Sequence, residues 1–246
     1  MSALDATADL SAEQRAAASA GSKFLMPLAG RTFAHFIGDA LRAAGIQRVG
    51  VVSGPGTHEA SALAPLGMES IYQAEARGTA DAVLSARGWA GREPFLVVNG
   101  DNLYPVDALK SVANAAGPAL AGFDRDDLVA TSNISPARIN GFALIERDAG
   151  GRLVRIVEKP TEAEAASLTP PLLVSMNLWK FDARIFDACR DVTPSARGEL
   201  ELPAAVMLAR DRGVEFAVVP TRGPVLDLSN RGDIAEVSRR LGGEAR

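Results

Sequence analysis

The chain has 246 residues, 47% apolar and 23% charged, a globular mix sized for one substantial α/β domain rather than two. Its 26 Lys+Arg against 30 Asp+Glu give a net charge of −4, which argues against nucleic-acid binding and for a small charged metabolite as partner. Cys189 is the only cysteine, which excludes an intrachain disulfide and a cysteine zinc cluster. With no signal-peptide pattern after Met1 and no membrane-spanning apolar run, a cytoplasmic location is expected.

In chain order, Ser11-Ala12-Glu13-Gln14 forms a capping box before an Ala-rich run, predicting a short helix that ends near Gly21. Residues 33–44 carry apolar side chains at helical spacing and stop at Gly45, predicting a helix. Residues 48–52 and 68–73 read as strands. A helix over 79–86 follows, with Thr79 as N-cap and Asp81 in its first turn. The continuously apolar run 95–98 suits a strand covered on both faces. A helix over 106–114 and a strand over 119–123 come next. Residues 142–146 and 153–157 predict strands flanking a turn at 148–151. Residues 172–181 predict a longer strand, followed by a helix over 183–189. Pro203 sits at the first turn of a helix reaching about Arg212. Residues 214–219 and 225–228 predict strands, and 233–241 a closing helix.

This alternation predicts one domain over 1–246, a three-layer α/β/α, Rossmann-like unit with a mostly parallel mixed sheet. Residues 1–22 read as an atypical helical N-terminus, and roughly 132–182 as a smaller subregion. Ligands of such sheets bind at the carboxyl ends of strands, so the residues just after apolar runs are the candidates.

Asn99-Gly100-Asp101 follows the run 95–98, and Gly100 permits close backbone approach to a ligand. Asp101 reads as a carboxylate for Mg²⁺ or as the cap of the next helix. Asp227, set between Leu226 and Leu228, needs a partner if buried. Two such carboxylates can hold one Mg²⁺ against substrate phosphates. Glu158 and Lys159 end the strand 153–157 before Pro160 and point to opposite faces if the chain stays extended. One can accept sugar hydroxyls while the other meets a phosphate; a solvated charge pair is the plainer reading. Gln73 ends a strand, and its amide can read a base edge. Gly78 and Thr79 open a helix whose N–H groups suit an anion, or simply connect strand to helix. Gly54-Pro55-Gly56 lacks the third glycine of a dinucleotide loop, because Glu59 stands there, and reads as a turn. His35 and His58 have no second histidine at ligand spacing and read as structural.

Taken together, these segments resemble the sugar-1-phosphate nucleotidyltransferase family, which includes glucose-1-phosphate thymidylyltransferases and mannose-1-phosphate guanylyltransferases. Residues 23–31 resemble its "PKPLLPVAGKP" segment, and 73–86 its "Q-x-x-x-x-GTA-x-AV" stretch. Residues 95–101 resemble "FLVLNGD", Glu158-Lys159-Pro160 matches "EKP", 198–202 resemble "GElelt", and 225–234 resemble "W-x-DvGTPedl". The resemblance implies transfer of NMP from a nucleoside triphosphate to a sugar 1-phosphate, giving NDP-sugar and pyrophosphate. It implies Mg²⁺ on Asp101 and Asp227, and nucleotide contacts from Lys23, Gln73, Gly78, Thr79 and Gly100. Gly141, Glu158, Lys159 and Asn177 would face the sugar phosphate, with Asp101, Lys159 and Asp227 as the catalytic set. Family members are often dimers or tetramers, so a homo-oligomer is one implied assembly. The family begins with a strand and a GxGTR loop ahead of the Lys23 segment, and residues 1–22 hold neither. Either a start codon was placed too late or the loop is lost. Two alternatives therefore stay open: a catalytically impaired sugar-nucleotide-binding protein of the same fold, and transfer to a non-sugar phosphorylated acceptor.

Overall fold

The computed structural model describes residues 10–19, 23–55 and 60–243. Expectations that involve Gly21, Gly56, His58 and Glu59 lie outside them. The described elements begin with α1 (Ala12–Ser19), β1 (Pro27–Leu28), β2 (Arg31–Thr32), α2 (Phe33–Ala43), β3 (Val49–Ser53), α3 (Ala60–Leu63) and β4 (Met68–Tyr72). Next come α4 (Thr79–Ser85), α5 (Arg87–Ala90), β5 (Phe95–Val97), β6 (Asn102–Leu103), α6 (Val106–Ala113), β7 (Ala119–Asp124) and α7 (Arg125–Thr131). Then follow α8 (Pro136–Ile139), β8 (Leu144–Arg147), β9 (Leu153–Val157), α9 (Glu162–Ser167), β10 (Leu173–Val174) and β11 (Trp179–Phe181). The chain closes with α10 (Ile185–Asp191), α11 (Leu202–Asp211), β12 (Ala217–Thr221), β13 (Leu226–Asp227) and α12 (Asp233–Gly243).

Local chemistry sets the helix starts. The Ser11 hydroxyl accepts from the Gln14 backbone N–H at 3.1 Å while the Gln14 side-chain Oε1 accepts from the Ser11 N–H at 3.0 Å, which closes the predicted capping box. At α2 the same exchange runs between Thr32 and His35, whose Nδ1 lies 2.8 Å from the Thr32 hydroxyl. His35 is thus structural, as expected. Helix α4 differs from expectation: its N-cap is Gly78, and Thr79 is the first helical residue.

The strand β7 runs through the middle of a seven-stranded mixed sheet, with Ala119, Leu120, Ala121 and Phe123 buried. β12 pairs with it in parallel on one side. On the other side β10 and β11 pair with it antiparallel, and reach outward to β8 and β5. The parallel share is smaller than expected. β5, β7 and β12 run the same way, but β11 lies antiparallel between β5 and β7. The predicted strand 172–181 is broken into β10 and β11, with Asn177 at φ 57° in the gap. The reason is a side chain: the buried Tyr104 hydroxyl donates to the Met176 carbonyl at 2.6 Å, so that carbonyl serves no ladder. The strand expected at 214–219 begins later, because the Val214 N–H closes α11 on the Ala209 carbonyl at 3.0 Å.

Two apolar cores cover the two faces of the sheet. Ile37 and Leu41 of α2, Leu109 and Val112 of α6, and Ile234 and Val237 of α12 belong to one. Val83 of α4, Phe186 of α10 and Val206 of α11 belong to the other. Along β5 the side chains alternate between them: Leu96 and Val98 meet the first core, Phe95 and Val97 the second. The layers are therefore α/β/α, as the sequence predicts. Among the described residues no helix is long and apolar enough to cross a membrane.

Candidate active site

Asp101, just beyond the end of β5, and Asp227 are brought together by a separate two-stranded sheet. β6 pairs antiparallel with β13, setting Asn102 opposite Asp227, and the Leu228 N–H donates to the Asp101 carbonyl at 2.8 Å. The two carboxylates live in different surroundings. Asp101 is 28% exposed in its side chain and meets the Lys23 ammonium at 2.9 Å. Phe24, next to Lys23, lies so close to Gly100 that a Cβ there would stand 3.3 Å from its ring. Lys23, Gly100 and Asp101 thus form one group.

The Asp227 side chain is 3% exposed, and donors hold both of its oxygens. Oδ1 accepts from the Asn102 amide at 2.9 Å and from the Ser229 hydroxyl at 2.8 Å. Oδ2 accepts from the Arg138 guanidinium, which also donates to Asp233 at 2.7 Å. Burial pushes the Asp227 carboxyl above its ordinary range; Ser229 and Arg138 pull it back, while Asp101 and Asp233 add to the rise. Two carboxylates brought together match the way Mg²⁺ is bound with phosphate oxygens. Each carboxylate already carries a cation of the protein, Lys23 on Asp101 and Arg138 on Asp227, so a metal ion there would displace both. Among the described residues no group of three or more His, Cys, Asp or Glu could hold a metal ion.

Gln73, Gly78 and Thr79 form a second group, and their polar atoms turn to their own chain. The buried Gln73 amide donates to Asp81 at 2.8 Å and to the Gly78 carbonyl at 3.3 Å. Gly78 has φ 124°, and a Cβ there would stand 2.5 Å from the Leu200 carbonyl oxygen. The close approach that glycine permits is to the segment 198–202. That segment also takes the Ala80 N–H on the Leu200 carbonyl at 2.8 Å, while the Leu202 N–H donates to the Thr79 hydroxyl at 2.9 Å.

Glu158 and Lys159 form a third group with Glu201. Lys159 has φ 45°, so the chain is not extended there, and the expected alternation of faces does not apply. Glu158 and Glu201 line one pocket of about 490 Å³ with Ile156 and Met207. Desolvation raises the Glu158 carboxyl above its usual range, the Glu201 charge adds to the rise, and Lys159 and Arg197 oppose it. Gly141 is exposed at the end of the helix that carries Arg138, and its N–H donates to the Arg138 carbonyl at 2.9 Å. Asn177 follows Met176, whose carbonyl Tyr104 holds. Sequence reasoning missed Arg138. Its signal was Ser135-Pro136, an N-cap followed by a first-turn proline, which is the observed start of α8.

In open α/β sheets ligands bind beyond the carboxyl ends of the strands, and Asp101, Glu158 and Lys159 stand beyond the ends of β5 and β9. The model of the family described as nucleotidyl transferase matches residues 18–239, and the chain belongs to that family. It is 28% identical over 229 residues to a glucose-1-phosphate thymidylyltransferase of Streptomyces antibioticus, covering 89% of this chain and 60% of the relative. It is 30% identical to the bifunctional protein GlmU of Pelotomaculum thermopropionicum, covering 89% of this chain and 48% of that protein. The chain thus spans about half to three fifths of the length of these relatives. The fold is also that of a UDP-glucose pyrophosphorylase solved with UDP-glucose, with a TM-score of 0.67 at 17% identity over 90% of each chain.

Proposed function

We propose that this chain transfers a nucleoside monophosphate from a nucleoside triphosphate to a sugar 1-phosphate. An oxygen of the sugar phosphate bonds to the α-phosphorus, the α–β bridge breaks, and pyrophosphate leaves. The observation that carries this reading is the site where Asp101, ion-paired to Lys23, stands beside the β13 segment that bears Asp227. Such chemistry calls for positioning and charge neutralisation rather than a covalent nucleophile.

Lys23 would neutralise triphosphate charge, and the displaced Asp101 would turn to the cation. Mg²⁺ on Asp101 and Asp227 would supply positive charge against the phosphates. Gln73, Gly78 and Thr79 would shape the base side, and Gly100 would let backbone approach the nucleotide. Lys159 would hold the attacking phosphate, with Glu158, Gly141 and Asn177 toward the sugar. The family relationship to a sugar-phosphate thymidylyltransferase supports sugar-nucleotide synthesis as the setting.

The test is pyrophosphate release from a panel of triphosphates and sugar 1-phosphates, with the native chain and Asp101→Asn. The reading expects release that needs a sugar 1-phosphate and a divalent cation, and that Asp101→Asn abolishes. Normal turnover in that variant, or release without any sugar phosphate, would overturn it.

A further inference from the structure

Arg231 stands in the turn between β13 and α12, four residues beyond Asp227. This turn is tied to the site's carboxyl-bearing residues. The Ser229 hydroxyl donates to Asp227 at 2.8 Å, the Asn230 N–H donates to Asp233 at 2.7 Å, and the Leu228 N–H donates to the Asp101 carbonyl at 2.8 Å. Arg231 engages none of these acids, although Arg138 reaches both Asp227 and Asp233. Among the described residues its guanidinium makes no ion pair and no hydrogen bond. Its Nε is enclosed by protein without an acceptor, while the residue as a whole is partly exposed. The stem is therefore packed down as far as Nε, and the terminal nitrogens are the part left open to solvent.

An enclosed N–H without an acceptor costs stability, so the resting fold gains nothing from this group. A guanidinium fork held in place matches two oxygens of one phosphate and loses little freedom on binding it. Lys23 meets the Asp101 side chain, and Leu228, within about 11 Å of Arg231 along the chain, meets the Asp101 main chain. Asp101, Asp227 and Asp233 are balanced in charge by Lys23, Arg138 and Arg231. A divalent cation added to that balanced set leaves a positive surplus, which a polyanion offsets. Lys159 belongs to the separate group with Glu158, which leaves the Asp101 side to the nucleotide. We propose that Arg231, with Lys23, binds the β- and γ-phosphates of the nucleoside triphosphate and holds them as they depart. This role rests on the transfer reading above: the bond from the α-phosphorus to the bridging oxygen breaks, its electron pair leaves with pyrophosphate, and the Arg231 fork stabilises the charge gathered there.

The probe is inorganic pyrophosphate, titrated by calorimetry into the full chain at a fixed Mg²⁺ concentration. Arg231→Met should weaken its binding about 30-fold, and Arg231→Lys, which keeps the charge without the fork, should recover only part of the loss. Arg87→Met removes the same charge from α5 and should bind as the native chain does. Because Arg231→Met also removes an enclosed, unpaired N–H, its urea midpoint should stay level or rise. No pyrophosphate binding by the native chain overturns the proposal. So does an Arg231→Met affinity within about threefold of native, an equal loss in Arg87→Met, or a loss accompanied by a lowered urea midpoint, which marks a structural role. Binding through Arg231 without pyrophosphate release from any triphosphate would overturn the transfer reading and leave the anion site standing. Transfer by the native chain, with native pyrophosphate affinity in Arg231→Met, would do the reverse.

Discussion

Arg138 donates to Asp227 and Asp233 at once, so a cation of the protein itself sits on the carboxylate that the sequence marks for a metal. Removing Arg138 leaves a carboxylate only 3% exposed with hydrogen bonds but no counter-charge. Arg138→Met is expected to cost about 3 kcal/mol by urea denaturation without divalent ions. Millimolar Mg²⁺ should recover part of that loss in the variant and add less to the native chain. Equal Mg²⁺ effects on both would remove Asp227 from the metal reading.

Lys23 and Asp101 pair across 78 residues of sequence, each 28% exposed. An ion pair so open to water adds little stability. Lys23→Met is expected to shift stability by less than about 1 kcal/mol while lowering transferase turnover about 10- to 100-fold. Paired denaturation and rate measurements separate the two effects, and unchanged turnover would leave Lys23 with a structural role only.

Gly78 combines φ 124° with a Leu200 carbonyl that already holds the Ala80 N–H. A new Cβ would meet that backbone oxygen at 2.5 Å, and neither segment can step aside without losing hydrogen bonds. Gly78→Ala is expected to destabilise by about 3 kcal/mol in urea. A change below about 0.5 kcal/mol would mean that the 198–202 segment moves freely.

Burial opposes ionisation of Asp81, but hydrogen bonds from Arg77 and Gln73 outweigh it and lower its carboxyl below the ordinary value. Its stability contribution is therefore full above the unfolded pKa of about 3.9 and fades as pH falls through the lower folded value. Arg77 is 56% exposed, which limits the pair to about 1 kcal/mol. The stability gap between native chain and Asp81→Asn should be present near neutral pH and close below about pH 4. A gap that widens on acidification would contradict the sign.

Residues that follow strong periodic patterns were legible. The helix expected at 33–44 is α2, the strand expected at 153–157 is β9, and the turn between β8 and β9 lies where Asp148 and Gly151 stand. Asp227 was flagged as needing partners, and it has three. What the sequence hid depends on long-range contacts. Nothing near Met176 announces that Tyr104, 72 residues earlier, takes its carbonyl and breaks the strand. Nothing near Gly78 shows that Leu200 crosses it. Lys159 reads as extended by strand continuity and by the proline that follows, but its φ is 45°.

The β3–β4 pair shares no ladder with the seven-stranded sheet among the described residues. Trp89 packs against Gly50 of β3, and the Trp89 carbonyl accepts from Arg48 at 3.0 Å. Such a unit is expected to open before the larger sheet does, so melting of this chain should depart from all-or-none behaviour. Calorimetric and van't Hoff enthalpies should then disagree, and a single transition temperature would describe only the larger body.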